Sequence, residues 1–203
     1  NVTGVQTCAL PISAHWALGR ALWLRGEDAG RLRALDEAVS LSPNYATAHY
    51  SLAFLHSQKG DPEKAVAASD TARALSPYDP MLFAFTTAKV FGMLRLGRFV
   101  EAAELATAVI HQPNAHCHCR AVCALAFAAA GRNGEAKTAL AGIRRERPGY
   151  GLDDLLSAFR LGDDLDGVFR GAARRASSAF LETWAACLPA PTLPLWQIGR
   201  AHV

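Results

Sequence analysis

Four prolines, Pro43, Pro77, Pro113 and Pro148, close similar phrases and stand 34, 36 and 35 residues apart. Four glycines, Gly26, Gly60, Gly97 and Gly131, each follow a helix-length stretch, at intervals of 34, 37 and 34 residues. Two independent markers share one period. Self-similarity of this length means a stack of one repeated supersecondary unit, in which each unit buries its apolar face against its neighbours. Few other features narrow the possible folds so far.

The size agrees, since 203 residues make one domain or a short array. With 51% hydrophobic and 19% charged residues the chain can bury a core and is not a disordered tail. Its 21 Lys+Arg against 18 Asp+Glu leave a net charge of +3, too small to argue for nucleic acid or an acidic membrane surface. The longest apolar run, Ala121 to Ala130, is core-helix length and short of the ~18 residues of a membrane span. Five cysteines without a disulfide framework fit a reducing compartment, so a cytoplasmic location is expected.

The two ends read differently from the rest. Gln6-Thr7-Cys8-Ala9-Leu10-Pro11-Ile12 can be encoded by CAG ACG TGT GCT CTT CCG ATC. The reverse complement of that string, read one base in, encodes Ile198-Gly199-Arg200-Ala201-His202-Val203. The string resembles a common short-read sequencing adapter. Residues 1–13 and 198–203 are therefore expected to be translated adapter around a piece of a longer gene, and they are set aside from fold reasoning.

Within the remainder, the second unit is the clearest. His49, Leu52, Ala53 and His56 lie on a first helix, Gly60-Asp61-Pro62 forms a turn with Pro62 suited to a helix start, and Ala65 and Ala72 are small positions on a second helix. This pattern resembles the tetratricopeptide repeat, a pair of antiparallel helices of ~34 residues. His49 and His56 stand where the family has Trp and Tyr, and Ser69 replaces a usual large residue. Four units follow from the resemblance, at 14–43, 46–77, 80–113 and 117–148. The first keeps Leu18, Gly19, Leu22, Leu35 and Ala38 in register, with Arg31 in place of a small residue. The third, with Gly97, Ala102 and Ala106 regular, carries about two extra residues, expected in its first helix. The fourth keeps Ala124, Phe127, Ala136, Leu140 and Ile143. The fold class expected is thus all-α, a solenoid of helical hairpins.

Residues 149–176 carry two further amphipathic patterns. Leu152, Leu155, Leu156 and Phe159 share one helical face; Leu165, Val168, Phe169, Ala172 and Ala173 share another. Asp163, Asp164 and Asp166 open the second and Arg170, Arg174 and Arg175 close it, as the helix dipole favours. The pair is expected to cap the stack. Pro189, Pro191 and Pro194 argue for an irregular tail over 177–197.

Nothing in the sequence argues for catalysis or a cofactor. No glycine-rich phosphate loop, His-Glu-x-x-His or Gly-x-Ser-x-Gly is present. His111, His116, Cys117, His118, Cys119 and Cys123 are dense in metal-ligating types, yet Cys119 and Cys123 share a core face and neighbours on a helix diverge, so packing is the expected role. The Asp163–Asp166 cluster reads as a helix start, and Arg144, Arg145 and Arg147 as a solvated helix end.

The resemblance implies a groove lined by the first helices and occupied by an extended peptide or a helix. Its residues here would be Trp16, Arg20 and Trp23 in unit one and Thr47, Tyr50, Phe54, Ser57 and Gln58 in unit two. Relatives that grip a C-terminal carboxylate carry Lys, Asn and Arg in such a groove, and of these only Arg20 has a counterpart. An aromatic groove suits an apolar helix. The expected function is non-catalytic interaction with a protein or peptide segment, or with another domain of the parent chain. The run from Leu75-Ser76-Pro77 through Arg147-Pro148-Gly149-Tyr150 to Val168-Phe169-Arg170 also resembles the repeat region of bacterial multidomain regulators. In those it follows a nucleotide cyclase or a winged-helix DNA-binding domain.

Overall fold

The computed structural model describes residues 3–159, 167–169 and 171, with side chains from residue 12 onward. Helices α1 (Thr3–Arg25) and α2 (Asp28–Leu41), α3 (Ala46–Gln58) and α4 (Pro62–Leu75), α5 (Leu82–Arg95) and α6 (Phe99–Ile110), and α7 (Cys117–Ala129) and α8 (Asn133–Glu146) form four hairpins. A short α9 (Leu152–Ala158) follows. No strand occurs among the described residues. Each helix packs on its hairpin mate and each second helix on the first helix of the next unit. The first helices α1, α3, α5 and α7 also contact one another in sequence, forming a continuous layer. The chain is an all-α helical-hairpin solenoid.

The recurring prolines have one structural job. Tyr45, Asp79, Ala115 and Tyr150 each donate a backbone N–H to the carbonyl three residues back, on Ser42, Ser76, Gln112 and Arg147. Each proline thus occupies the second position of a hydrogen-bonded turn, where its fixed φ is already correct. The preceding Ser42, Ser76 and Arg147 are pushed out of helical conformation, which ends α2, α4 and α8 there.

Three of the four glycines also share a conformation. Gly26, Gly97 and Gly131 adopt φ of +77°, +72° and +76°. The next residue in each case donates its N–H five residues back: Glu27 to Leu22, Arg98 to Met93 and Arg132 to Phe127. This is the Schellman closure, which satisfies a helix-end carbonyl through a left-handed residue. Gly60 does not adopt it. There the His56 ring Nδ1 accepts the Asp61 N–H at 3.3 Å, and Asp61 Oδ1 accepts from the N–H of Glu63 at 2.9 Å and of Lys64 at 3.3 Å. The histidine standing where the resemblance puts Tyr therefore ties the inter-helix turn back to its own helix.

The extra residues of the third unit lie mainly before its first helix, a correction to the sequence expectation. Helix α5 is one residue longer than α3, 14 against 13. Two more residues enter the connection after Pro77, where Leu82 N–H bonds to the Asp79 carbonyl and Met81 N–H to Asp79 Oδ1. A polar Asp that can cap its own turn absorbs an insertion more readily than a packed helix can.

Close approach of α1 and α2 survives Arg31, because Gly19 provides it. A Cβ at Gly19 would fall 2.8 Å from Leu35 Cδ2. Arg31 is itself buried and reaches α3, donating to the Ser51 carbonyl at 3.3 Å with its guanidinium 5.4 Å from the Phe54 ring centre. Ser69 is likewise buried, and its hydroxyl donates to the Phe85 carbonyl at 2.6 Å, pinning α4 to α5. Residues 160–166 and 172–203, including the Asp163–Asp166 cluster, most of the second amphipathic pattern, the proline-rich stretch and the C-terminal adapter-like residues, lie outside the described residues.

Candidate protein-binding groove

The first-helix layer carries a hollow of about 240 Å³, walled by α1, α3, α5 and α7 and by the end of α9. Four of the residues singled out in the sequence meet in it: Arg20, Trp23, Tyr50 and Phe54. The Arg20 guanidinium lies 5.2 Å from the Trp23 ring centre, a cation–π contact. Trp23 and Phe54 meet edge to face at 5.6 Å, and Tyr50 stacks on Phe85 at 4.9 Å. Burial pushes the Tyr50 hydroxyl up to about 12, so it stays a neutral donor and acceptor. Trp23 Nε1 is buried without an acceptor among the described residues, an uncompensated donor in the wall.

The other four lie elsewhere. Trp16 turns to the opposite side of α1, donating to Ser51 Oγ at 3.0 Å and packing on Leu35, Leu52 and Leu55. Ser57 and Gln58 are buried, with 0% and 2% of their surface exposed. The Ser57 hydroxyl donates to the Phe54 carbonyl of its own helix. Gln58 faces α2 beside Asp28, Arg31 and Leu32. Thr47 carries a half-buried position near the start of α3 and accepts the Ser51 hydroxyl at its carbonyl.

Residues that were not part of the expected groove complete it: Thr87 and Phe91 of α5, His118 and Cys119 of α7, His116 just before α7 and Phe159 just after α9. Phe91 falls in the third unit, whose shifted register hid its equivalence with Phe54. His118 Nδ1 and the Tyr150 hydroxyl share a 2.8 Å hydrogen bond. Burial lowers both His116 and His118 below the ordinary histidine value. Cys119 Sγ lies 3.4 Å from His116 Nε2, but burial pushes its thiol up to about 12, and Cys123, fully buried, is shifted upward too. Neither is a ready thiolate. No grouping of three His, Cys, Asp or Glu able to hold a metal occurs among the described residues.

A wider hollow of about 590 Å³ lies between α6, α7 and α8, over Ile110, Phe127 and Ala139. Its arginines already have partners: Arg120 bonds to Glu146 at 2.6 Å, and Arg132 to Glu135 and Thr107. The smaller groove has the aromatic walls, drawn from the first helices of several units, and it is the better candidate despite its size.

The profile described as the tetratricopeptide repeat matches residues 12–30, which span the last half of α1 and the start of α2. Among solved structures, the chain resembles that of YrrB, described as a TPR protein with an unusual peptide-binding site. The similarity has a TM-score of 0.55 at 16% sequence identity and covers 86% of this chain and 91% of that one. No curated protein matches the sequence. No described helix is long and apolar enough to cross a membrane. With its hairpins, proline turns and Schellman glycines, the chain has the tetratricopeptide-repeat fold.

Proposed function

We propose that this chain is a non-catalytic interaction scaffold that holds a protein or peptide segment in the first-helix groove. The observation that carries this reading is the convergence of Arg20, Trp23, Tyr50 and Phe54 from two units on one hollow. Aromatic side chains provide large, stiff contact area at low entropic cost, and clusters of them anchor interfaces. The peptide-binding description of the structurally similar YrrB supports the same class of partner. The buried free thiols suit a reducing compartment, so we place the scaffold in the cytoplasm.

Selection of displayed random peptides on the purified full chain tests the reading. The expected result is a convergent apolar motif whose binding is lost in the Trp23→Ala/Tyr50→Ala double variant. No convergence, or convergence on peptides indifferent to that variant, would overturn it. The sequence resemblance to the repeat region of bacterial regulators favours a regulatory place for the scaffold, beside a nucleotide cyclase or winged-helix domain. Long-read sequencing of the source locus tests this: upstream sequence encoding neither domain sinks it.

A further inference from the structure

Leu155 of α9 is fully buried and α9 packs on α7, as a cap on the last unit should. Phe159, directly after α9, goes further than a cap requires. Its ring lies 5.9 Å from Phe54 on α3, 5.1 Å from Phe91 on α5 and 6.1 Å from His118 on α7, edge to face in each case. One side chain thus touches the first helices of three successive units. Phe169 is fully buried, and its ring lies 5.6 Å from Phe91. Phe159 thus fills one side of the groove that the preceding reading assigns to a partner, and Phe169 packs on Phe91, which lines the same groove. Open space remains in the same hollow beside Arg20, Trp23 and Tyr50.

We propose that the groove is a receptor for phenylalanine side chains, with the chain's own segment around Phe159 and Phe169 as its resident occupant. A partner is an apolar helix presenting phenylalanines, and it binds by exchange with that segment. The proposal rests on the scaffold reading and names the partner class and its control. The resident contacts define the chemistry: an aromatic ring received edge to face by Phe54, Phe91 and His118, which a charged or extended polar peptide does not supply. The tether sets the competition. An intramolecular segment acts at an effective concentration on the order of millimolar, so a free ligand at micromolar concentration meets a largely filled groove. Apparent affinity falls by the fraction of chains whose groove is open.

A fluorescein-labelled peptide of residues 150–171, followed by anisotropy, tests this on the full chain. The Phe159→Ala/Phe169→Ala variant is expected to bind it at least about tenfold more tightly than the unaltered chain. A peptide with the same two alanines is expected to bind neither. If the double variant loses helicity by circular dichroism, Phe159→Leu keeps most of the apolar volume, removes the ring contacts and gives the same comparison. Equal binding to unaltered chain and variant would overturn self-occupancy. Failure of a helical variant to bind the peptide would overturn the phenylalanine receptor. Neither result touches the peptide selection at Trp23 and Tyr50, whose failure alone would sink the scaffold reading.

Discussion

Burying Arg31 removes a guanidinium from water with the Ser51 carbonyl as its acceptor, and burial drives its ordinarily high value down to about 10. The side chain remains charged at neutral pH. Its guanidinium stands over the Phe54 ring, and the stem behind it occupies buried space between α2 and α3. Arg31→Met is therefore expected to change stability by less than about 1 kcal/mol, because an apolar replacement of similar length avoids the desolvation penalty. Arg31→Ala, which leaves a hole, should cost about 2 kcal/mol or more in urea melts. Equal losses for both would mean that the charge, and not the stem, matters. His118 supports a second prediction. Burial lowers it from 6.5, with help from His116 and Arg147 and opposition from Asp154. The folded chain then binds fewer protons than the unfolded chain. Stability is full above 6.5 and falls as pH drops from there to the lower folded value, below which it levels. His56 and His116 shift the same way and share the window. The melting temperature is expected to be lower at about pH 5 than at about pH 7.5, and a His116→Gln/His118→Gln variant should narrow that difference. An unchanged difference would show that neither ring reports the fold. At this scale the sequence was only half legible. Arg20, Trp23, Tyr50 and Phe54 could be picked out by their repeat positions, but Ser57 and Gln58 continue the same spacing into the end of α3, where α2 covers Gln58. Helical periodicity gives a direction from the axis; it does not say which neighbour stands there.

The hairpins were legible because their punctuation is local. A proline fixes its own φ, and a helix-ending glycine needs no distant partner, so both leave a periodic mark on the sequence. The insertion in the third unit was harder to place, since an even count of residues between markers does not distinguish a longer helix from a longer turn. The second unit shows another limit: its Gly60 sits in register with the others without the left-handed conformation, and the turn is held instead by His56 and Asp61. The glycines separate these cases experimentally. Gly131, at φ +76°, has open space around the position a Cβ would take, so Gly131→Ala is a test of backbone strain alone. It is expected to cost about 1 kcal/mol or more. Gly134, three residues on, lies in the first turn of α8 with equal room, and Gly134→Ala should stabilise by about 0.5 kcal/mol. Thermal melts of the two variants should move in opposite directions. A shift of the same sign would mean that the α7–α8 turn is not a Schellman closure.

Across the whole molecule the apolar interior is unevenly divided. One cluster runs from Phe54 on α3 through α5, α6, α7 and α8 to Phe159 and Phe169. A second and much smaller one, Leu35 with Leu52 and Leu55, joins the first unit to the second, assisted by Trp16, Leu32, Val39 and Ala68. Leu18, Leu24 and Leu41 of the first unit are exposed. The ion pair between Lys59 and Asp28, at 3.1 Å on the surface, adds little to that junction. In a repeat stack, stability is close to a sum of unit and nearest-neighbour terms, so a thin junction opens separately from a thick one. The first unit should open first and α5 to α7, where the larger cluster is densest, last. Native-state hydrogen exchange in low denaturant is the measurement. Amides of α2 are expected to exchange through an opening about 1–2 kcal/mol cheaper than those of α5 and α7. Leu35→Ala should lower the first value further while leaving the second unchanged, because the cavity it creates lies wholly in the smaller cluster. A single opening free energy for all helices, falling together in the variant, would show instead that the self-filled groove couples the four units into one cooperative body. Trp23, the apolar side chain of the first unit that packs against the larger cluster among the described residues, and Arg31, over Phe54, are the contacts through which that coupling would run.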